Sequence, residues 1–389
     1  MATAACTAAE SSELAELRSM LGGGSSARRS PPGRAEIMSM PVHAAVHALE
    51  QFFEDERVVD AVCDRWRGLS YGPQRRQSAS DAGALEVIVK AMEHHRSASA
   101  AVTETGCLAI GNIVAGMDES GVARKQRAAD AGALAAIVNG MQTHLETAAV
   151  QEYGNFAIGN ICFAADEAGL VRKQQASDAC AISAILTGMR THSGEAAVQE
   201  YGCFALGNVC RGITISAGKA DQGDAKSEEA ETEEDKAEAA RKDAAAAAGK
   251  TRKEAAVDAG ALETVANAMR FYAKEEGIIQ WGSRALSNIT FGNSAWREQA
   301  RKAGAKPQWL VGMADGMDAI EDARHSPNSK TERLAIKAPQ PRSSATARPG
   351  GSIGGSPPKR APRIPSKAPP SGVGKMVPLP NAGPLWRDK

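Results

Sequence analysis

One phrase recurs along this chain at a fixed distance. Residues 150–160 read VQEYGNFAIGN, and residues 198–208 repeat them as VQEYGCFALGN. The closing asparagines, Asn160 and Asn208, stand 48 residues apart, and a weaker copy ends a further 48 residues earlier at Asn112. A fourth copy, with tryptophan in the tyrosine place and arginine in the phenylalanine place, ends at Asn288. A period of this size is typical of stacked helical units, each of which packs only against its neighbours.

A second phrase marks the start of each unit and predicts its helices. Asp-Ala-Gly-Ala-Leu begins at Asp81, Asp130 and Asp258, and a variant with cysteine and isoleucine begins at Asp178. A short basic helix is predicted before each phrase. A second helix is predicted after it, because apolar residues there recur at i, i+3, i+4 and i+7. Glycine allows a sharp turn between the two helices. The third helix carries the asparagine phrase.

These three-helix units, with glycine after the first helix and asparagine late in the third, resemble the armadillo repeat. The resemblance covers roughly residues 41–316. It implies an all-α fold, a right-handed superhelical armadillo-like solenoid of three-helix repeats. The predicted parts are a degenerate N-terminal cap (41–70), four repeats (73–117, 122–165, 170–213 and 250–293) and a C-terminal cap (295–316).

Three other segments lack the apolar residues that a packed core needs. Residues 1–40 are expected to form a disordered leader. The insertion at 216–250 includes a run, 221–238, with nine acidic residues against two lysines. Such a run favours a solvated loop or a transient helix. The tail, 317–389, is rich in proline and serine and is basic, so its composition predicts disorder.

No targeting or membrane-spanning segment is recognisable in the sequence. Three acidic residues in the leader, Glu10, Glu13 and Glu16, are atypical of a transit peptide, and no apolar run is long enough for a signal peptide or a membrane span. The seven cysteines include no Cys-x-x-Cys pair, which indicates packing residues in a reducing compartment. We therefore expect a cytoplasmic protein without membrane insertion. Import into the nucleus through the basic segment 357–363 stays open.

The resemblance also implies a binding site. In armadillo proteins the third helices line a concave groove, and the late asparagine holds the backbone of an extended peptide. An amide suits this task because it offers one acceptor and two donors. The corresponding residues of this sequence are Asn112, Asn160, Asn208 and Asn288.

Helix geometry adds two positions to the face that each asparagine occupies. Residues four and seven before it lie within roughly 40° of it on a helix with 3.6 residues per turn. The four-before position holds Leu108, Phe156, Phe204 and Arg284, and the seven-before position of the last three units holds Tyr153, Tyr201 and Trp281. In the importin-α branch the four-before residue is usually tryptophan, so recognition of nuclear signals does not follow here. A structural role is the alternative, in which the rings pack between third helices and each amide bonds a neighbouring helix.

Acidic residues lie at the edge of the same face. Glu152 and Glu200, like Glu104, stand eight residues before an asparagine. Residues 41–215 as a whole carry 20 acidic and 14 basic side chains. An acidic groove favours a basic, extended ligand and makes its binding sensitive to salt.

No residue pattern in the sequence indicates catalysis. Phosphate-binding and dinucleotide-binding glycine motifs are absent. His43 and His47 could meet one metal ion, yet no third ligand stands near them. His95, His144 and His192 recur with the repeat at the ends of second helices, where hydrogen bonding or helix C-terminal charge explains them better than coordination. We expect no catalytic residue, metal, cofactor or small-molecule substrate.

The sequence therefore favours a non-catalytic, monomeric scaffold or adaptor that binds a peptide or partner protein along its third helices. The alternative is a binder of polyanions, either nucleic acid or a cytoskeletal filament. It would grip them through the basic tail while the solenoid recruits cargo. Between residues 337 and 389 there are ten lysines and arginines against one acidic residue. Nucleic acid is the weaker choice, because Trp386 is the only aromatic residue there that could stack on bases.

Overall fold

The structure is a computed structural model that describes residues 30–67, 72–164, 166–212 and 233–310. Within these ranges all regular elements are helices, and no strand occurs. The helices pack against their neighbours along the chain, as expected of a helical repeat solenoid. None of the helices in the described ranges is both long enough and apolar enough to cross a bilayer.

The helices come in groups of three, as the period of the sequence predicts. The N-terminal group is α1 (Arg34–Ser39), α2 (Val42–Gln51) and α3 (Glu56–Arg67). The first unit is α4 (Pro73–Asp81), α5 (Ala84–His95) and α6 (Ala100–Ile113), and the second is α7 (Glu119–Asp130), α8 (Ala133–Thr143) and α9 (Ala148–Ile161). The third is α10 (Glu167–Asp178), α11 (Ala181–Thr191) and α12 (Ala196–Val209), and the fourth is α13 (Glu233–Asp258), α14 (Ala261–Phe271) and α15 (Glu276–Thr290). Helix α16 (Ser294–Lys302) and a 3-10 turn (Pro307–Trp309) end the described part.

A left-handed residue joins the first and second helices of every unit. Glycine provides it at Gly83, Gly132 and Gly260, with φ between 80° and 87°. In the third unit the same turn is made by Cys180, at φ 63°. A residue with a Cβ is strained in this region, whereas glycine is not. The predicted sharp turn is therefore present in all four units, with strain in one of them.

Replacing Cys180 with glycine is expected to raise the free energy of unfolding by about 1 kcal/mol, because it removes this backbone strain. The thiol is exposed, so little packing is lost. In the reverse experiment, Gly132→Cys should destabilise the chain by a similar amount, because it introduces the same backbone strain. A steric clash does not add to this strain, since an added Cβ at Gly132 meets no atom within 4 Å. Urea unfolding followed by circular dichroism measures both changes. Equal midpoints for wild type and Cys180→Gly would show that the turn is not strained.

Glycines on the third helices make room for the second helices of the same units. A Cβ at Gly106 would lie 2.7 Å from Met92 Sδ, and one at Gly154 would lie 2.6 Å from Met141 Sδ. Gly202 and Gly282 face Met189 and Met269 in the same way. The glycine that follows tyrosine in the repeated phrase is thus the place where the apolar stripe of the second helix meets the third.

A second glycine stands directly before the asparagine in the first three units, and in two of them it receives a ring from the next unit. The ring of Phe156 lies against Gly111, and the ring of Phe204 lies against Gly159. Both rings are buried, at 0% and 3% exposure. Third helices α6, α9, α12 and α15 consequently pack side by side along the stack. The repeated phrase therefore forms the third helix and also supplies the glycines and rings through which neighbouring third helices pack.

Buried arginines of the first helices tie consecutive units together. Arg172 donates from Nε to Ile161 O at 3.0 Å and from Nη1 to Gln126 Oε1 at 3.0 Å. The first contact satisfies a carbonyl at the C-terminal end of α9, and the second joins α10 to α7. Two further arginines repeat this pattern in their own units: Arg124 and Arg252.

The recurring histidines connect consecutive units through hydrogen bonds at the C-terminal ends of the second helices. His144 Nε2 lies 2.8 Å from Arg96 O, and His192 Nε2 lies 2.7 Å from Leu145 O, each a carbonyl of the preceding unit. His95 makes the equivalent contact with a carbonyl of the N-terminal group. Hydrogen bonding explains these residues, as predicted, and the acceptor belongs to the neighbouring unit.

Three expected boundaries differ from the structure. Residues 34–39 of the expected disordered leader form α1, whose Ile37 is fully buried. The second half of the insertion is helical, because α13 begins at Glu233 and runs without a break into the predicted first helix of the fourth unit. In the C-terminal cap, Pro307 opens a 3-10 turn where the sequence copies the start of a second helix. Residues 1–29, 213–232 and 311–389 lie outside the described residues.

Candidate functional site

The repeated asparagines do not face a groove, contrary to the resemblance. Asn112, Asn160 and Asn208 are each 1% exposed. Asn160 Nδ2 donates to Gly111 O, and Asn208 Nδ2 donates to Gly159 O, both at 3.2 Å. The partly buried Asn288 makes the same bond to a carbonyl of α12, Gly207 O, at 2.7 Å. Asn160, Asn208 and Asn288 therefore bond the preceding third helix, as the structural alternative predicts, whereas the buried amide of Asn112 has no hydrogen-bond partner among the described residues.

Most of the apolar candidates are also part of the core. Leu108, Phe156 and Phe204 fill the space between third helices, and Tyr153 and Trp281 are only 2% and 3% exposed. The rings interlock along the stack. Phe156 meets Tyr201 edge to face at 5.4 Å between centroids, and Phe204 meets Trp281 at 4.6 Å. Of the predicted contact residues, those that keep partly exposed side chains are Tyr201, Arg284, Glu152, Glu200 and Asn288.

Carboxylates recur at one partly exposed position of successive third helices. Glu104, Glu152 and Glu200 hold it on α6, α9 and α12, and Asp60 holds the equivalent position on α3. We call these four residues the acidic row. The sequence pointed to Glu104, Glu152 and Glu200. Asp60 takes the same position in the N-terminal group, because it stands eight residues before Gly68, which replaces the asparagine there.

The members of the acidic row lie close enough to act on the same neighbours. Burial is the main cause of the raised pKa of Glu104; Arg67 opposes the rise and Asp60 adds to it. The pKa of the Tyr153 hydroxyl is raised by burial and then by Glu152 and Glu104. A carboxylate that is partly desolvated beside other carboxylates gains more from a bound cation than one in open water.

One guanidinium of the chain is already bound at the N-terminal end of the acidic row. Arg34 on α1 donates to Asp60 Oδ2 at 3.0 Å and also pairs with Asp64. Helix α1 is held in place by its buried Ile37, whose carbonyl accepts a hydrogen bond from Arg65 at 2.9 Å. The first position of the row therefore has the geometry to bind an arginine side chain.

In the fourth unit, Arg284 stands four residues before the asparagine, where the other units have an apolar residue. Its guanidinium carbon lies 5.7 Å from the ring centroids of both Phe163 and Trp281. Phe163 follows α9, so Arg284 on α15 reaches across α12 to a residue two units away. Burial, and then repulsion from Arg211, lowers the pKa of Arg284 to about 10.

Other chemistry finds little support in the described ranges. No group of three His, Cys, Asp or Glu side chains there is placed to hold a metal ion. His47 contacts Glu50 and Gln51, which lie on its own helix, α2. The polyanion alternative rests on the tail, which lies outside the described residues, and it stays a prediction.

Comparisons with known proteins found similar solved structures. No family model and no curated protein matches the chain. Two solved structures, both described only as engineered proteins, are similar. The first is 22% identical with a TM-score of 0.49, and the match covers 76% of this chain and 97% of that one. The second is 21% identical with a TM-score of 0.45, with 66% and 87% covered.

Proposed function

We propose that this protein is a non-catalytic scaffold of the armadillo type, a right-handed superhelix that binds an extended, basic segment of a partner protein. The acidic row runs along its concave face and carries recognition. The asparagines and rings of the repeated phrase build the stack that positions the row. The expected partner is a protein or peptide met in the cytoplasm.

The observation that supports this proposal most strongly is the acidic row with Arg34 bound at its first position. A single carboxylate cluster has many explanations, but here one repeat position is acidic in four consecutive groups. A guanidinium from outside the third helices already pairs with one member. The Arg34–Asp60 pair is thus an example, within the chain, of the contact that an arginine of a partner would make with the row.

The distance between neighbouring members of the acidic row predicts the spacing of basic residues in the ligand. Neighbouring packed helices lie about 8–10 Å apart, and an extended chain in the polyproline II conformation advances about 3.1 Å per residue and returns to the same face every third residue. Consecutive members of the row are therefore matched by basic side chains at every third residue. We expect a segment of the form Arg-x-x-Arg-x-x-Arg, with small polar residues between, to span Glu104, Glu152 and Glu200.

The test is the affinity of a fluorescently labelled peptide of this form, measured by anisotropy. In the variant Glu104→Gln/Glu152→Gln/Glu200→Gln, affinity should fall by about tenfold or more, because each partly desolvated ion pair contributes roughly 0.5–1 kcal/mol. Glutamine keeps the shape of each side chain. Binding to the wild type should also weaken between low and physiological salt.

A matched control variant distinguishes the effect of the acidic row on affinity from the effect of net charge. Glu93, Glu146 and Glu263 are exposed acids on or beside second helices. Their triple change to glutamine alters the net charge equally and should leave the affinity within about twofold. Equal weakening in both triple variants would reduce the effect to non-specific attraction, and an unchanged affinity in the row variant would reject the proposal.

A further inference from the structure

Arg284 is the one member of its repeat position that carries a charge. The same place holds Leu108, Phe156 and Phe204 in the other units. Those side chains fill the core, whereas Arg284 stays partly exposed and lies over the rings of Phe163 and Trp281. In the part of the chain that the structure describes, no carboxylate pairs with it.

The surroundings of Arg284 are cationic. Arg211, three residues after Asn208, is near enough to repel it. Lys253 is close to the same chain segment, since a Cβ added at Gly212 would lie 3.8 Å from Lys253 Nζ. A partly buried guanidinium beside other cations is costly unless an anion joins them. The acidic row occupies α3, α6, α9 and α12, and Arg284 lies on the next third helix, α15.

The contact with the two rings leaves the guanidinium donors of Arg284 able to bind such an anion. A guanidinium that lies on aromatic rings keeps its N–H groups in the plane, where they match the two oxygens of a carboxylate. The guanidinium carbon of Arg284 lies 5.7 Å from the centroids of Phe163 and Trp281, and none of the described residues accepts a hydrogen bond from its N–H groups. The arrangement differs from a surface arginine, whose side chain must be ordered each time it binds.

We propose that Arg284, supported by Phe163 and Trp281 and accompanied by Arg211, binds a carboxylate side chain of the same partner segment that the acidic row binds. This inference rests on the proposed function and extends it. The ligand then has two parts: basic residues along the first three units and one acidic residue at the fourth. Such a pattern fixes the direction and the register of the bound segment, which a purely basic peptide leaves undetermined.

The experiment uses the full chain and a series of labelled peptides. Each contains the Arg-x-x-Arg-x-x-Arg stretch, and one glutamate is moved through the six positions on either side of it. A second series has glutamine in the same places. At one position the glutamate peptide should bind about tenfold more tightly than its glutamine partner.

Two variants assign that gain to Arg284. Arg284→Leu introduces the residue that Leu108 supplies in the first unit, so the fold is expected to tolerate it. It should abolish the difference between the glutamate and glutamine peptides while the basic stretch alone binds as before. Arg284→Lys, which keeps the charge but not the planar pair of donors, should retain only part of the difference.

The outcomes separate this inference from the proposed function. If the basic stretch binds but no glutamate position improves affinity, the carboxylate site is rejected and the acidic row stands. A gain that survives in Arg284→Leu rejects Arg284 as its cause. If no peptide of either series binds, both proposals fail together.

Discussion

Arg172→Leu is expected to lower the free energy of unfolding by about 3–4 kcal/mol, the largest effect that we predict for a single substitution. The guanidinium is fully buried and donates to Ile161 O and Gln126 Oε1. Leucine supplies neither donor. The carbonyl at the end of α9 would then be buried without this partner and the partly buried amide oxygen of Gln126 would lose its donor, and an unpaired buried group costs about 1–3 kcal/mol.

The chain offers a control at the same repeat position. Arg75 on α4 aligns with Arg172, since each stands six residues before the aspartate that ends its first helix, and the side chain of Arg75 is exposed. Arg75→Leu should change stability by no more than about 0.5 kcal/mol. Urea unfolding of both variants, followed by circular dichroism, measures the difference. If the two midpoints move equally, the buried ties between units contribute nothing specific.

Gly111→Ala is expected to destabilise the chain by about 2 kcal/mol. The added Cβ would lie 2.5 Å from Phe156 Cδ1 and Cε1, and 3.4 Å from the Cα of Ala157. The ring of Phe156 is fully buried, so it cannot swing away as the end of a flexible side chain would. Alanine favours a helix over glycine by about 0.5–1 kcal/mol, which offsets part of the cost.

The control for this substitution is Gly207, which also stands directly before an asparagine. Its neighbour is Ala285, and an added Cβ would approach no atom closer than 3.5 Å. Gly207→Ala should therefore be neutral or slightly stabilising, because only the helix preference remains. Opposite signs for two identical changes, measured by thermal and urea unfolding, identify the phenylalanine as the cause. Similar losses in both would mean that these helices need glycine for another reason.

The helical triplets could be predicted because their signals are local. The spacing of Leu134, Ile137, Val138 and Met141 specifies a helix, and the glycine after α7 specifies its turn. The exposed face of the third helix could not be predicted in this way. A third helix in a stack has neighbours on three sides, and the helical wheel shows which residues share a face without showing what that face meets.

One signal in the sequence did bear on the choice between groove and core. Glycine stands before the asparagine in each of the first three units, and the next unit places a large ring where it can fill that gap in two of the three cases. Small residues opposite large ones indicate packing between helices. The buried basic residues were harder to foresee. Arg172 and Lys173 look like a solvated face, because their acceptors are carbonyls at and just after the end of α9, which no local pattern reveals.

Helix α1 is a second element that the sequence did not predict. Residues 34–39 are too few to carry a helical period, and the stretch around them is rich in glycine, proline and arginine. Contacts with α3, through Ile37 and Arg34, make the segment part of the fold. These contacts are distant in sequence, and composition alone therefore predicted disorder.

The most direct measurement compares two double variants in two assays. Asn160→Ala/Asn208→Ala removes the amides of the repeated phrase, and Glu152→Gln/Glu200→Gln removes two charges of the acidic row. Stability and affinity for the labelled basic peptide are measured for each. We predict that the asparagine variant loses about 1 kcal/mol of stability for each hydrogen bond and keeps its affinity within about twofold, and that the glutamate variant does the reverse. An asparagine variant that is fully stable yet no longer binds the peptide would contradict this account and return recognition to the asparagines.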